Sequence, residues 1–267
     1  MNITEINVYP VKSMRGTGFR EARICRYGLE HDRQWMLVDE DSRMLTQREC
    51  PHLAKFVPRL EDGVLRVKVP NAKAIDVPLD ASEWRSEELT IDLWGHQYVG
   101  VIASDPVNTA LSDALGRSCR LLRARSDVFR TQTEVAFHDD APILIISRSS
   151  LEELNRRLPA PLPMNRFRPT LVIERSQPFE EDGWQRIAIS NTEFHAVKQC
   201  VRCAITTVDQ AEGEFRGPEP LKTLATFRRK RQNVAFGNYF RPESSGAMPC
   251  LGDEIHVLQA SACGSSV

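Results

Sequence analysis

Short strand patterns that follow one another closely restrict the first third of this chain to a mainly β fold. Residues 3–9 largely alternate apolar and polar side chains, which is the period of a half-buried strand, and Pro10 ends the pattern. Similar short runs follow at 22–25, 34–39, 63–69 and 89–95, with turn residues between them. This spacing predicts an N-terminal β-barrel or β-sandwich.

The rest of the chain mixes helix and strand patterns. Ser104 and the following Asp-Pro predict a helix N-terminus, and Gly116 predicts its end. The polar segment 126–134 predicts a domain boundary, which divides the chain into domains 1–125 and 126–267. After this segment, a capping-box spacing from Ser149 to Glu152 predicts a helix that runs to about Leu158. Apolar strand patterns recur at 143–147, 171–173, 187–189, 236–240 and 254–258, and a frayed tail is expected from Ala260.

Composition excludes several classes of protein. Of the 267 residues, 41% are hydrophobic and 27% are charged, the balance of a globular chain rather than a disordered one. The net charge of −1 gives no basis for binding nucleic acid or a membrane surface. The first residues lack the charged start and apolar core of a signal peptide, so we expect a cytoplasmic protein without a membrane partner.

The segment 198–209 combines a Cys-x-x-Cys pair with two cations and a β-branched run, which predicts a site where a strand begins. Four interpretations of Cys200 and Cys203 are open from the residues alone. A structural zinc site needs further ligands, and the chain has no second Cys-x-x-Cys. A thioredoxin-like pair should open a helix, whereas 204–208 has a strand pattern. The pair can also be buried packing, or one thiolate can hold a soft metal within a larger cofactor.

Other segments suggest ligand contacts or charged surface. The loop 11–18 carries two cations, two hydroxyls and two glycines directly after a strand, which suits an anion such as phosphate or an ordinary solvated turn. Arg168 precedes a proline, so we expect it in an extended conformation, from which it could bind a phosphate or form a surface salt bridge. The acidic run 180–182 is expected to be solvated and distant from a pocket for an anion.

Taken together and in order, these motifs resemble the MOSC family. The residues that carry the resemblance are Tyr9-Pro10-Val11-Lys12-Ser13, Asp32-Arg33 with Trp35, Phe167-Arg168-Pro169, and Cys200-Val201-Arg202-Cys203 with the following Thr206-Thr207-Val208-Asp209. The resemblance covers nearly the whole chain and is strongest to the subfamily of the mitochondrial amidoxime-reducing component and its bacterial relatives. It implies an α+β fold that is mainly β, with an N-terminal β-barrel-like domain followed by a MOSC β-barrel with peripheral helices.

The resemblance also implies a cofactor and its ligands. In that subfamily the second Cys of the pair coordinates molybdenum, which implies Cys203 here, as metal ligand and catalytic residue. The same likeness implies contacts with the phosphate of a molybdenum-molybdopterin cofactor from Lys12, Ser13, Arg33, Arg168 and Arg202. It further implies that the loop Asp139-Asp140-Ala141 approaches the metal and the cofactor, with Asp139 in a catalytic role. Thr170 and Met14 depart from residues common in relatives, so the substrate is left open.

The implied activity is molybdenum-dependent reduction of small N-hydroxylated compounds, with oxygen leaving as water. The alternative is a carrier of the molybdenum cofactor, or a sulfur-delivery module, without turnover. The chain has no Gly-x-Gly-x-x-Gly fingerprint for a nicotinamide and no cysteine spacing for a ferredoxin cluster. A reductase of this kind therefore needs a separate electron-transfer protein or reductase, and the basic cluster Arg228–Arg231 is the predicted docking surface.

Overall fold

A computed structural model describes residues 1–80, 84, 85, 87–93, 95–125 and 136–261. Over these ranges the protein is mainly β with three α-helices, α1 (Asp105–Leu115), α2 (Arg148–Asn155) and α3 (Leu221–Phe227), which confirms the predicted α+β class. No helix in the described ranges is long and apolar enough to cross a bilayer.

The strands are short in the N-terminal half and longer near the C-terminus. The first eleven are β1 (Asn2–Val8), β2 (Thr17–Phe19), β3 (Ile24–Cys25), β4 (Gly28–Leu29), β5 (Trp35–Val38), β6 (Val57–Glu61), β7 (Val64–Lys68), β8 (Ile75–Pro78), β9 (Glu88–Leu93), β10 (His96–Ile102) and β11 (Arg120–Ala124). The others are β12 (Ile143–Ser147), β13 (Leu171–Glu174), β14 (Trp184–Ile189), β15 (Thr192–Val201), β16 (Val208–Asp209), β17 (Glu214–Phe215), β18 (Arg229–Lys230), β19 (Asn233–Pro242) and β20 (Ile255–Ala260).

The largest sheet has the order β2-β1-β13-β12-β19-β15-β14-β20, and β18 pairs with β19 beside it. Neighbouring strands are antiparallel except β12 and β13, which are parallel. Successive residues of β12 point into different apolar clusters, since Ile143 and Ile145 pack in one and Leu144 and Ile146 in another. Burial on both faces explains why this strand is an uninterrupted apolar run in the sequence.

Over the described residues, the N-terminal half adds three smaller sheets, with orders β5-β11-β10-β9, β6-β7-β8 and β3-β4. Helix α1 packs against this part, with Val107 and Leu111 buried. The predicted ends of α1 are confirmed: Ser104 is the N-cap, and Gly116 ends the helix at a φ of 67°. Only a residue that tolerates positive φ ends a helix in this way without strain, and glycine does so most easily.

The two halves of the chain share the largest sheet. Strand β1 pairs with β13, so that Ile3 lies opposite Ile173 and Ile6 opposite Leu171. Because the two strands are antiparallel, the loop that follows β1 lies near the start of β13, which Arg168 precedes by three residues. The predicted domain boundary at 126–134 lies outside the described residues, and the division at 125 stays a prediction. The predicted frayed tail begins on the last residue of β20, and residues 262–267 are likewise outside the described ranges.

The predicted N-cap and length of α2 are wrong. Its N-cap is Ser147, whose side chain accepts a hydrogen bond from Ser150 N at 3.1 Å, and the helix ends at Asn155. Ser149 instead lies inside the first turn. The capping-box pattern identified the helix but placed its start two residues too late, because several serines adjoin there.

The prediction of a solvated acidic loop is also wrong. Residues 180–183 form a 3-10 helix in which Glu181 is fully buried. Its carboxylate accepts hydrogen bonds from Ser147 N at 3.1 Å and from Ser150 Oγ at 2.8 Å. Asp182 pairs with Arg228. Protein donors thus satisfy the carboxylate of Glu181, which the sequence pattern assigned to water.

Candidate cofactor site

The Cys-x-x-Cys pair lies where β15 ends, and the segment after it differs from the prediction. Residues 204–207 form one turn of 3-10 helix rather than a strand. The hydroxyl of Thr206 donates to Cys203 O at 2.9 Å, and that of Thr207 donates to Ala204 O at 2.8 Å. These local bonds stabilise the turn against the β propensity of the threonines. Cys203 is the N-cap of this turn and has an extended backbone.

The two thiols have different surroundings. Cys200 is 3% exposed, and Arg202 Nη1 donates to its Sγ at 2.7 Å. Burial raises the pKa of Cys200 although Arg202 and Tyr239 favour the thiolate. Cys203 is partly exposed, and Arg48 Nη2 donates to its Sγ at 3.4 Å. Cys203 is therefore the thiol that a ligand can reach.

A zinc site built from protein ligands around these thiols has no support in the structure. Among the described residues, the one group of three or more His, Cys, Asp or Glu ligands within 4.8 Å of one another is Glu193, His195 and Glu243. Neither cysteine belongs to that group. A metal at Cys203 would thus take most of its ligands from elsewhere, as a cofactor-bound metal does.

The loop after β1 is an ordered wall rather than a solvated turn. Lys12 is only 5% exposed, and its Nζ donates to Phe137 O at 2.7 Å and to Asp139 Oδ1 at 2.6 Å. Burial lowers the pKa of Lys12, and the ion pair with Asp139 opposes this shift. Ser13 is also buried, with a positive φ of 68°, and its carbonyl accepts a hydrogen bond from Gln47. Both side chains line the cavity described below.

Two arginines from distant segments stack on Tyr9. The guanidinium carbon of Arg33 lies 4.2 Å from the centre of the Tyr9 ring, and that of Arg168 lies 4.3 Å from it. Arg33 is also paired with the buried carboxylate of Asp32, which accepts a hydrogen bond from Tyr9 N at 2.7 Å. Stacking and ion pairing together fix the direction of both cations.

Arg168 does not have the extended conformation that its proline neighbour predicted. Its φ of 53° and ψ of 47° are left-handed, because it ends the 3-10 helix 164–167 and its N–H donates to Asn165 O. Its Nη1 donates to Met14 O at 2.7 Å. In the described part of the chain no carboxylate lies within 4.0 Å of Arg168, and burial lowers its pKa to about 10. Within the described residues it is thus a partly buried cation with no ion-pair partner.

A single cavity of about 290 Å³ collects nearly all of the predicted site residues. Its lining includes Lys12, Ser13, Arg33, Asp139, Asp140, Arg168, Arg202 and Cys203. Ala141 is the exception, since it does not line the cavity and packs in the apolar cluster with Leu144 and Ile146. The structure thus places Lys12, Arg33 and Arg168 around one space, as the sequence predicted, while their roles stay predictions.

The acidic loop residues of the site pair with lysines. Asp139 is 53% exposed and faces the cavity. Loss of hydration would raise its pKa, but Lys12, with further help from Arg33 and Arg48, holds the pKa well below its usual range. Asp140 Oδ1 lies 2.5 Å from Lys198 Nζ. The lining therefore carries five cations, Lys12, Arg33, Arg48, Arg168 and Arg202, against two carboxylates.

Sequence reasoning missed several residues of this cavity. Arg48 and Thr46 reach it from a turn after β5, and Tyr239 lines it as well. Phe167 and Thr206, which belong to the motifs of the resemblance but were not predicted as site residues, also line it. Burial raises the pKa of Tyr239 well above its ordinary value, so its hydroxyl stays protonated. A lone arginine in a turn carries no motif, and only the fold shows that Arg48 faces Cys203.

The fold, with its cation-rich, thiol-containing cavity, is that of a mainly β protein in two sequence regions, and comparison with known proteins gives its family. Residues 1–118 match the MOSC N-terminal beta barrel domain, and residues 132–256 match the MOSC domain. The mouse protein named mitochondrial amidoxime-reducing component 1 is 31% identical, over 96% of this chain and 82% of the relative. The chain belongs to the MOSC family.

Other relatives are larger or more distant. The rice protein named molybdenum cofactor sulfurase is 32% identical over 89% of this chain, which spans only 32% of that protein. The crystal structure of the YUAD protein from Bacillus subtilis covers 97% of this chain with 12% identity and a TM-score of 0.46. The chain therefore spans about a third of the sulfurase and over four fifths of the amidoxime-reducing component.

Proposed function

We propose that this protein is a molybdenum-cofactor-dependent oxidoreductase that reduces small N-hydroxylated compounds. The observation that carries the proposal is the partly exposed Sγ of Cys203, in contact with Arg48, in a cavity with five cations. The name of the mouse relative and the match over most of both chains support this reaction class. The proposed cofactor is molybdenum-molybdopterin.

The residues of the cavity fit such a cofactor. A thiolate is a soft ligand that suits a metal already bound through sulfur, and Cys203 would supply it. An excess of cations suits a phosphate dianion, and Arg168 in particular lacks an anionic partner in the described part of the chain. The Nε of Arg202 is buried without a hydrogen-bond partner, so it can donate to a bound group. When bound, the cofactor would supply a two-electron redox centre.

The reaction needs electrons, protons and a way to orient the substrate. It consumes two electrons and two protons per R–NH–OH and produces R–NH2 and H2O. Asp139 remains a carboxylate at neutral pH, so it accepts a hydrogen bond from the substrate N–H and does not act as an acid. The hydroxyl of Tyr239 keeps its proton and donates a hydrogen bond within the cavity. The ammonium of Lys12, beside Asp139, is the candidate source of a proton for the leaving water.

A second function is supported by a specific observation. The rice relative is a molybdenum cofactor sulfurase, and this chain matches about a third of its length. A carrier of the cofactor, or a module for sulfur delivery, would use the same cavity without turnover. The two functions differ in catalysis and not in binding.

One experiment separates them. The protein is purified from a molybdenum-sufficient host, its molybdenum and pterin contents are measured, and benzamidoxime is added with reduced methyl viologen. We expect bound molybdenum and stoichiometric formation of benzamidine. Bound molybdenum without benzamidine would favour the carrier, and absence of both molybdenum and pterin would overturn both functions. A cytoplasmic location, and the absence of nucleic-acid and membrane partners, stay predictions.

A further inference from the structure

Three consecutive cations form an exposed hairpin at one end of the largest sheet. In this basic hairpin, defined as Arg229, Lys230 and Arg231, β18 pairs with the start of β19. No carboxylate of the described residues lies within 4.0 Å of any of the three side chains. Arg228 does not belong to it, because it pairs with Asp182 and stacks on Phe179 at 4.4 Å. The predicted four-residue docking cluster is therefore reduced to three residues.

Strand pairing places the basic hairpin beside the candidate site. Val234 lies opposite Arg229 on one side, and its carbonyl accepts a hydrogen bond from Arg202 N at 2.9 Å on the other. Adjacent strands are about 4.8 Å apart, so the backbone of the hairpin lies roughly 10 Å from the segment that carries Arg202 and Cys203. The basic hairpin therefore lies next to the candidate site without any change in the fold.

An exposed apolar residue, Val201, lies between the basic hairpin and the cavity. Val201 is 44% exposed and lines the cavity, and it pairs with Ala235 of β19. An exposed apolar side chain with cations around it is the usual composition of a transient protein interface. Because the whole chain has a net charge of −1, the positive charge here is local and gives an approaching protein a preferred direction.

We propose that the basic hairpin, together with Val201, is the docking surface for a small acidic electron-transfer protein. This inference rests on the proposed reductase function, which consumes two electrons per turnover. The partner would present carboxylates to the three cations and bring its redox group to the side of the cavity formed by Arg202 and Cys203. Attraction of this kind acts on the rate of association and weakens as salt screens it.

The test uses the cofactor-loaded protein and a reduced acidic flavodoxin as the probe. The reversal variant is Arg229→Glu/Lys230→Glu/Arg231→Glu, and a milder variant replaces the same residues with Gln. The matched control is Arg59→Glu/Lys68→Glu/Lys73→Glu, which reverses three exposed cations on and beside β6–β8. At low salt we expect the reversal variant to lose about tenfold or more in flavodoxin-driven kcat/KM, with the Gln variant intermediate and the control unchanged. Turnover with reduced methyl viologen should be equal in all four proteins.

Calorimetric titration with flavodoxin at low and high salt tests docking without turnover. We expect salt-sensitive binding to the wild type and the control, and loss of binding to the reversal variant. Equal flavodoxin binding and equal rates in all proteins, or no binding to the wild type at low salt, would overturn the docking proposal. If methyl viologen drives no turnover in any protein but hairpin-dependent binding persists, the proposed reaction fails and the docking surface stands.

Discussion

The guanidinium of Arg48 donates a hydrogen bond of 3.4 Å to Sγ of Cys203, across 155 residues of sequence. The same cation also interacts electrostatically with Asp139 of the loop 139–141. A fixed guanidinium beside the sulfur both orients the side chain and compensates the charge of a thiolate. Arg48 is therefore a positioning residue for the proposed metal ligand.

Replacing Arg48 should weaken cofactor retention. Arg48→Gln removes the charge, and the loss of a charge-assisted hydrogen bond of about 1.5 to 3 kcal/mol predicts at least about a tenfold loss in affinity. Arg48→Lys keeps the charge and should retain more. The measurement is the molybdenum-to-protein ratio after dialysis. Arg43→Gln serves as a control, because Arg43 is exposed and its side chain pairs with Asp41. Equal ratios in Arg48→Gln and wild type would contradict this role.

Replacing Arg168 should have opposite effects on the stability of the cofactor-free protein and on its affinity for the cofactor. Arg168→Met removes a partly buried cation that has no ion-pair partner among the described residues, so the free energy of unfolding of the cofactor-free protein should rise by about 1 to 2 kcal/mol. The same change should lower the molybdenum and pterin contents, because the proposed contact of Arg168 with the cofactor phosphate is lost. Urea unfolding and metal analysis measure the two effects.

Arg166, a neighbouring arginine, provides a control for the expected effect of Arg168→Met on stability. Arg166 pairs with Asp209 at 3.1 Å, so Arg166→Met leaves a carboxylate without its partner and should destabilise the protein. If Arg168→Met destabilises the cofactor-free protein as much as Arg166→Met, then Arg168 is not a destabilising cation held for a ligand.

Glu181 predicts a pH dependence of stability. Burial raises its pKa above the ordinary 4.5, although hydrogen bonds from Ser147 and Ser150 oppose the shift. The folded protein therefore binds this proton more tightly than the unfolded chain. Its contribution to stability is complete below the pKa of the unfolded chain and is lost as pH rises through the raised pKa of the folded state.

Glu181→Gln should remove the decrease in stability that ionisation of Glu181 causes as pH rises. The free energy of unfolding of the variant, minus that of wild type, should increase as pH rises from about 4 through neutrality. Urea titrations at several pH values measure the difference. A Glu181→Gln difference that is constant or decreases with pH would show that the carboxyl is not held with a raised pKa.

Local patterns predicted some features well and others not at all. Ser104 and Gly116 marked the ends of α1 because caps and positive-φ glycines act within one turn. Thr206 and Thr207 suggested a strand, but their hydroxyls bond to carbonyls three residues back and form a 3-10 turn. An alternation of apolar and polar residues does not show whether such side-chain hydrogen bonds to the backbone will form instead of a strand.

Long-range pairing produced the remaining differences. Glu181 is buried because serines 31 and 34 residues earlier supply donors, and an isolated acidic run does not reveal them. Arg168 takes a left-handed conformation, with its guanidinium held by Met14 O and the ring of Tyr9. The resemblance to the MOSC family predicted most of the site residues that line the cavity. Arg48 and Tyr239 were identified as lining residues only from the structure.

We propose that Cys203 holds the molybdenum of the cofactor, and paired alanine variants test this assignment. Cys203→Ala and Cys200→Ala are expressed in the same molybdenum-sufficient host, and the molybdenum-to-protein ratio of each purified protein is measured beside its benzamidoxime turnover. We expect Cys203→Ala to lose bound molybdenum or turnover. Cys200→Ala should retain molybdenum with a modest loss of stability, because Cys200, although it also lines the cavity, is 3% exposed and its thiol accepts a hydrogen bond from Arg202. A Cys203→Ala protein with the wild-type molybdenum ratio and full molybdenum-dependent turnover would contradict the claim.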